Sequence, residues 1–152
     1  MRELRTEIEI DAPPEQVWRV LTDFGSYPEW NPFIRSIEGR PQVGERLKVR
    51  ITPPDSRAMT FRPTVLAAEP ERELRWLGRV LVRGLFDGEH RLALEPLEDG
   101  RSRFTQSERF SGLLGGLLGR ALNATERGFN QMNEALKRRA EGTSAGESGS
   151  RR

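Results

Sequence analysis

The sequence predicts an α+β fold in which an antiparallel sheet of seven strands is covered on one face by a single long C-terminal helix, with two short helices after the first strand. Three observations predict it. Apolar and charged residues alternate through residues 4–10 and much of 34–110, the period of half-buried strands. A proline-rich helix start interrupts the alternation directly after the first strand. Near the end of the chain, from Leu113 to Leu136, apolar residues recur at threes and fours along a stripe of about six turns.

Leu4, Thr6, Ile8 and Ile10 share one side of the first strand, and Arg5, Glu7 and Glu9 the other. Asp11 then precedes Ala12-Pro13-Pro14-Glu15, which reads as a cap residue, prolines in the first turn and an acid near the positive end of the helix dipole. Val17, Trp18, Leu21 and Phe24 follow at helical spacing, and Gly25 ends the run. The next segment, SYPEWNPF, is too rich in proline for more than one short turn of helix. Two of the three tryptophans, Trp18 and Trp30, fall in this region with Phe24, Tyr27 and Phe33. So much apolar area requires a packing partner, because burying each large side chain is worth ~1.5–3 kcal/mol.

Turn signals at Gly39 to Gly44, Pro53 to Ser56, Glu69 to Arg72, Gly84 to Gly88 and Glu98 to Gly100 divide residues 34–110 into six further strands. Leu47, Val49 and Ile51 alternate with Arg46, Lys48 and Arg50, and Leu74, Trp76, Val80 and Val82 with Arg75, Arg79 and Arg83. Such a sheet has one dry and one wet face, so the final helix is its cover. The chain's 152 residues suit one domain, assigned to residues 1–140, with the small polar residues of 141–152 expected as a disordered tail.

Composition excludes several classes of function. The sequence contains no cysteine and one histidine, so thiolate chemistry, disulfides and multi-imidazole metal sites are not expected, and neither is a cofactor or metal. Basic and acidic residues nearly balance, 25 against 23, although the pI is about 9.6. Arginines alternate with glutamates along the strands rather than forming a stripe, so a solvated sheet face is expected and a nucleic-acid partner is not. The N-terminal MRELRTEIEI is charged where a signal peptide is apolar, and no run approaches the ~18 apolar residues that cross a bilayer. A cytoplasmic protein without stable membrane insertion is therefore expected.

Four segments, APPEQVWRVLTDFGSYPEWNPF, ELRW, GEHRLALEPLEDGRSRFTQSERFSG and the final helix, resemble the START-like (SRPBCC) superfamily, in particular its bacterial polyketide cyclase/dehydrase and lipid-transport group. The resemblance covers residues 3 to about 139. It implies a helix-grip fold, a curved sheet wrapped around the long helix with a hydrophobic cavity between them. Members of that superfamily carry lipids, sterols or quinones, or cyclise and aromatise polyketide chains.

One polar pair interrupts the apolar face. A three-residue loop at Glu98-Asp99-Gly100 sets Leu94 opposite Phe104, Leu92 opposite Gln106 and His90 opposite Glu108, with the last pair on the inner side. A two-residue loop would split the apolar face. His90 and Glu108 either satisfy each other in the wall, orient a ligand, or act as acid and base if the protein is an enzyme. No third polar partner is evident from spacing. Phe61, Trp76, Leu92 and Phe104 are expected on the same wall, with Gln106 assisting orientation, and Leu118, Leu122, Thr125 and Phe129 on the helix as the floor. Asn123, Glu126 and Asn130 are expected to face solvent or the rim. Trp30, Asn31 and Phe33 fall where the resembling folds have the cavity mouth; Trp30 is either a gate or a staple, and Asn31 before Pro32 is restricted to extended geometry. Glycines in GLLGGLLG, residues 112–119, suggest a flexible entrance opposite that turn.

The expected function is binding or transport of a small hydrophobic molecule, a lipid, quinone or aromatic metabolite. A polyketide-type cyclase or aromatase using the same cavity is the alternative, and a chaperone-like interaction module a third. Oligomeric state is open, with a homodimer among the options.

Overall fold

The computed structural model of the protein describes residues 2–79, 86–112 and 118–150. Strand β1 (Arg2–Ile10) leads into helix α1 (Pro14–Thr22), a 3-10 turn at Phe24–Ser26 and the single-turn helix α2 (Tyr27–Trp30). Seven strands follow: β2 (Ile34–Glu38), β3 (Lys48–Ile51), β4 (Met59–Phe61), β5 (Thr64–Glu69), β6 (Glu73–Arg79), β7 (Phe86–Pro96) and β8 (Ser102–Gly112). Helix α3 (Leu118–Ser150) ends the described chain.

Eight strands therefore replace the expected seven, in a five-stranded sheet of order β1-β8-β7-β6-β5 and a three-stranded sheet of order β2-β3-β4. The reason is Pro63. Between the turns at 53–56 and 69–72 the sequence reads as one strand, but proline has no N–H for the ladder, and it divides the run into β4 and β5. The sheets remain joined across this break. Leu47 donates to the Pro63 carbonyl (2.8 Å), Val65 to Glu45 (2.9 Å) and Gly44 to Val65 (2.9 Å), and Arg46 bridges Thr64.

Helix α1 starts at its prolines, as expected, but its cap position is Pro13, without a side-chain cap bond. Asp11 is not the cap, because the helix starts at Pro14 and Asp11 lies two residues before its cap position. Its backbone N–H donates to Glu141 of α3 (2.8 Å), which Lys137 also contacts (2.5 Å). Burial raises the Glu141 pKa, but these two hydrogen bonds and the Lys137 charge outweigh it and hold the carboxyl below its ordinary value. Gln16 of α1 adds a bond to the Ala140 carbonyl (2.6 Å). These ties lie at the point where the sequence reading ends the helix. The backbone of α3 runs helical to Ser150, past residue 140.

The core lies between the inner sheet face and α3. Ile10, Leu74, Leu92, Phe104, Phe129, Met132, Leu136 and Ala140 are fully buried there. Val17 and Leu21 bring α1 onto it, and the buried Tyr27 hydroxyl donates to the Leu21 carbonyl (2.6 Å), fixing the turn after α1. Burial, assisted by the Asp23 charge, pushes the Tyr27 hydroxyl far above its ordinary value, so it stays a donor. Trp18 packs partly buried against the cluster. The outer face is wet, with cross-strand pairs such as Arg91 to Glu73 (2.7 Å), Arg75 to Glu89 (3.1 Å) and Arg101 to Glu9 (3.1 Å). A polar groove of about 350 Å³ on that face is lined by Arg5, Arg72, Arg91 and Arg103 among their glutamates.

Phe33 packs on bare helix backbone at Gly128, where an added Cβ would fall inside the van der Waals radius of the ring. Alanine is the better helix former by ~1 kcal/mol, yet the buried Phe33 has no room to retreat. Gly128→Ala is expected to destabilise the protein by ~1–3 kcal/mol in urea unfolding. Gly128→Ala combined with Phe33→Leu should recover part of the loss; a stabilising single substitution would contradict this packing.

Candidate functional site

The β7–β8 hairpin sets the site. Leu97 donates to the Arg101 carbonyl (2.8 Å), and Asp99 and Gly100 take positive φ values of 63° and 74° in the loop. The resulting register pairs Leu94 with Phe104, Leu92 with Gln106 and His90 with Glu108, as the three-residue loop predicts. Trp76 on β6 stands opposite His90, and Thr6 on β1 opposite Gln106.

A chain of hydrogen bonds runs through these residues. His90 Nδ1 lies 2.7 Å from Glu108 Oε1, and its Nε2 2.9 Å from Gln106 Oε1. Gln106 Nε2 donates to Asn133 Oδ1 on α3 (2.8 Å), and Asn133 Nδ2 donates to Thr6 Oγ1 (2.9 Å). Thr6 in turn donates to the Gln106 backbone carbonyl (3.2 Å). That carbonyl can accept and cannot donate, so it fixes the direction of every link. Thr6 must accept from Asn133, Asn133 must accept from Gln106, and Gln106 must therefore turn its oxygen toward His90. A second backbone carbonyl, that of Phe129, accepts from the same Gln106 amide nitrogen (3.4 Å) and requires the same orientation.

His90 Nε2 is accordingly a donor. At 2.7 Å two bare acceptors would repel, so one proton lies between Nδ1 and Glu108 Oε1. The ring is also clamped sterically. Trp76 stacks on one face (centroids 5.2 Å apart, planes 19° from parallel), and Phe129 meets it edge-on at 5.1 Å. Phe129 continues to Phe33 at 5.6 Å, linking the site to the turn after α2.

Gly88 on β7 and Gly78 on β6 pair across the strands on the inner face, one step beyond His90 and Trp76. Gly88 is buried, and a Cβ there would lie 2.5 Å from Glu108 Oε2, so glycine makes room for the carboxylate that lies over it. At Gly78 a Cβ would meet Pro63 at 3.6 Å, an ordinary contact. Among the described residues Oε2 has no hydrogen-bond donor, and the Glu108 side chain retains 17% of its exposure.

The structure brings together His90, Glu108, Gln106, Trp76 and Phe129 from the expected set, with Leu92 and Phe104 buried in the same wall. Leu122 is buried and Thr125 half-buried on α3, while Asn123, Glu126 and Asn130 are exposed. Phe61 is set apart: it lies on β4 opposite Val49, in the other sheet, half-buried and outside the buried cluster. The Leu118 side chain and most of the Gly112–Gly119 run lie outside the described residues, as do Val80 and Val82. The expectation of no third polar partner is corrected by Gln106, Asn133 and Thr6. Asn133 was findable, since it follows Met132 on the apolar stripe and is the polar residue one turn after Phe129.

At the turn, Asn31 is buried and its Oδ1 accepts from the backbone N–H groups of Phe33 (2.9 Å) and Ile34 (2.8 Å). Its Nδ2 and the indole Nε1 of the half-buried Trp30 are buried without an acceptor among the described residues, and Trp30 packs edge-on against Tyr27 at 5.1 Å. The ring contact supports the staple reading of Trp30. Asn31→Ala should cost ~1–3 kcal/mol, because two buried N–H groups lose their acceptor; a thermal melt unchanged from the parent protein would show that those bonds are not needed.

Among the described residues no group of three carboxylate or histidine side chains is arranged to hold a metal ion, and no helix is long and apolar enough to cross a membrane. Antiparallel sheets of five and three strands with a long C-terminal helix are consistent with the helix-grip class. The sequence profile described as "Polyketide cyclase / dehydrase and lipid transport" matches residues 1–141, and the chain belongs to that family. No curated protein matches the sequence. Solved structures agree on the fold. Protein MLL2253 from Mesorhizobium loti is 25% identical, with a TM-score of 0.70 over 90% of this chain and 95% of its own. A START superfamily protein from Mycobacterium smegmatis is 17% identical, with a TM-score of 0.71 over 93% and 98%. The Zhui aromatase/cyclase from Streptomyces sp. R1128 is also 17% identical, with a TM-score of 0.70 over 92% and 93%.

Proposed function

We propose that this protein binds a small hydrophobic molecule, a lipid, quinone or aromatic metabolite, against the inner face of its sheet. The observation that carries the reading is the end of the hydrogen-bond chain: a Glu108 oxygen that has no donor among the described residues, on a side chain that keeps 17% of its exposure beside a largely apolar wall. A ligand donor would satisfy that oxygen. Apolar contact supplies the affinity in this reading, and the few polar groups set orientation.

The cyclase alternative draws support from the family description and from the aromatase/cyclase among the structures of similar fold. The geometry of His90 weighs against it as a proton shuttle. Both ring nitrogens are engaged within the protein, so taking a proton from a ligand requires breaking a buried bond first.

Native mass spectrometry of protein purified from its own host tests the binding reading. A co-purifying hydrophobic molecule of constant mass is expected. Repeated ligand-free spectra, together with failure to bind any hydrophobic probe, would overturn it. A bound molecule released with altered mass after incubation would favour the cyclase.

A further inference from the structure

We propose that the ligand of this site presents a hydrogen-bond donor, a phenolic or alcoholic hydroxyl or an N–H, to Glu108 Oε2, and that molecules whose polar group is only a carbonyl or an ether bind less well. The inference rests on the binding reading above and narrows it to one chemical class. It follows from the direction of the hydrogen-bond chain, which two backbone carbonyls fix independently at Gln106.

Because Gln106 turns its oxygen to His90 Nε2, one ring proton is committed there, and a second proton occupies the line between Nδ1 and Glu108 Oε1. That second proton has two places to reside. On Nδ1 it leaves an imidazolium facing a carboxylate, and Oε2 is a carboxylate oxygen. On Oε1 it leaves a neutral ring facing a carboxylic acid, and Oε2 is the carbonyl oxygen of that acid. Oε2 accepts and does not donate in either state. The conclusion therefore does not depend on the charge of the pair.

Oε2 is also positioned to be reached. The Glu108 side chain retains 17% of its exposure, and glycine at position 88 makes the room in which its carboxylate lies. His90 does not compete for the ligand, since both of its nitrogens are occupied. Its contribution is to hold the carboxylate, as a positioning residue. A site that meets an acceptor with an acceptor rejects that ligand, which is how one polar contact discriminates among apolar molecules of equal size.

Three naphthalene probes of similar shape test this by calorimetry or tryptophan quenching: 2-naphthol, 2-methoxynaphthalene and 1,4-naphthoquinone. The full chain is expected to bind 2-naphthol about tenfold or more tighter than either of the others. Glu108→Met should bring 2-naphthol and 2-methoxynaphthalene within about twofold of each other, with the methoxy compound's own affinity little changed. Glu108→Gln, whose amide nitrogen donates to Nδ1 and leaves its oxygen outward, should keep the order at a smaller ratio. Because the comparison on the unmodified protein stands alone, a variant that does not fold leaves the test intact. Equal affinity for naphthol and its methyl ether, or a preference for the quinone, would overturn this proposal while leaving the binding reading standing. Binding of none of the three overturns this proposal, and the binding reading falls with it if native mass spectra are also ligand-free.

Discussion

Phe129→Ala is expected to destabilise the protein by ~3–5 kcal/mol, the range for losing a buried phenylalanine. The ring is fully buried and stands edge-on to His90 at 5.1 Å and to Phe33 at 5.6 Å, so its loss opens a cavity at the junction of sheet, helix and turn. Its neighbours cannot collapse into the gap. His90 is held by hydrogen bonds at both nitrogens, and Phe33 rests on Gly128. For a domain whose whole stability is about 5–15 kcal/mol, such a loss leaves little margin. Urea unfolding followed by tryptophan fluorescence measures it, with Phe129→Leu as the milder comparison, expected to cost less than about half as much. A loss for Phe129→Ala below about 1 kcal/mol would show that the ring does not bear this packing.

Gln106→Leu is expected to cost ~2–6 kcal/mol, because two buried groups lose their partners at ~1–3 kcal/mol each. His90 Nε2–H would have no acceptor, and Asn133 Oδ1 no donor. The size of leucine is close enough to glutamine that packing changes little, so the loss reports the polar chain itself. Gln106→Leu combined with Asn133→Leu should cost less than the sum of the single substitutions, since the second removes a group the first has already orphaned. Strict additivity in that cycle would mean that the chain is a set of separate contacts rather than a coupled network.

The local elements were legible in the sequence wherever one physical rule dominated. The alternation in β1 and the three-residue loop at Glu98–Gly100 determine which residues face inward and which stand opposite each other, because side-chain period and turn closure leave one register that keeps the apolar face whole. His90 and Glu108 were therefore paired correctly from spacing alone. Where two rules competed, the reading failed. At Pro63 the alternation continued through a residue that cannot donate to a ladder, and the ladder broke. At Asp11 a good cap residue stands two positions before the cap, because the prolines set the helix start at Pro14, and its backbone N–H bonds Glu141, 130 positions away in the chain and invisible to local reasoning.

What the sequence determined by itself was the class of fold, the dry and wet faces of the sheet, and the pairing of the single histidine with a carboxylate. These depend on neighbours within a hairpin or a helix turn, where geometry is set by bond lengths and hydrogen-bond closure. The tertiary structure alone decided the direction of the polar chain. Asn133 reaches Gln106 and Thr6 from a different element, and two backbone carbonyls dictate which way each amide turns. That direction engages both nitrogens of His90 and leaves Glu108 Oε2 as the one acceptor of the pair without a donor among the described residues, the atom on which the proposed ligand contact rests. The physical reason is that amide orientation is a property of the whole closed network, and no stretch of sequence contains it.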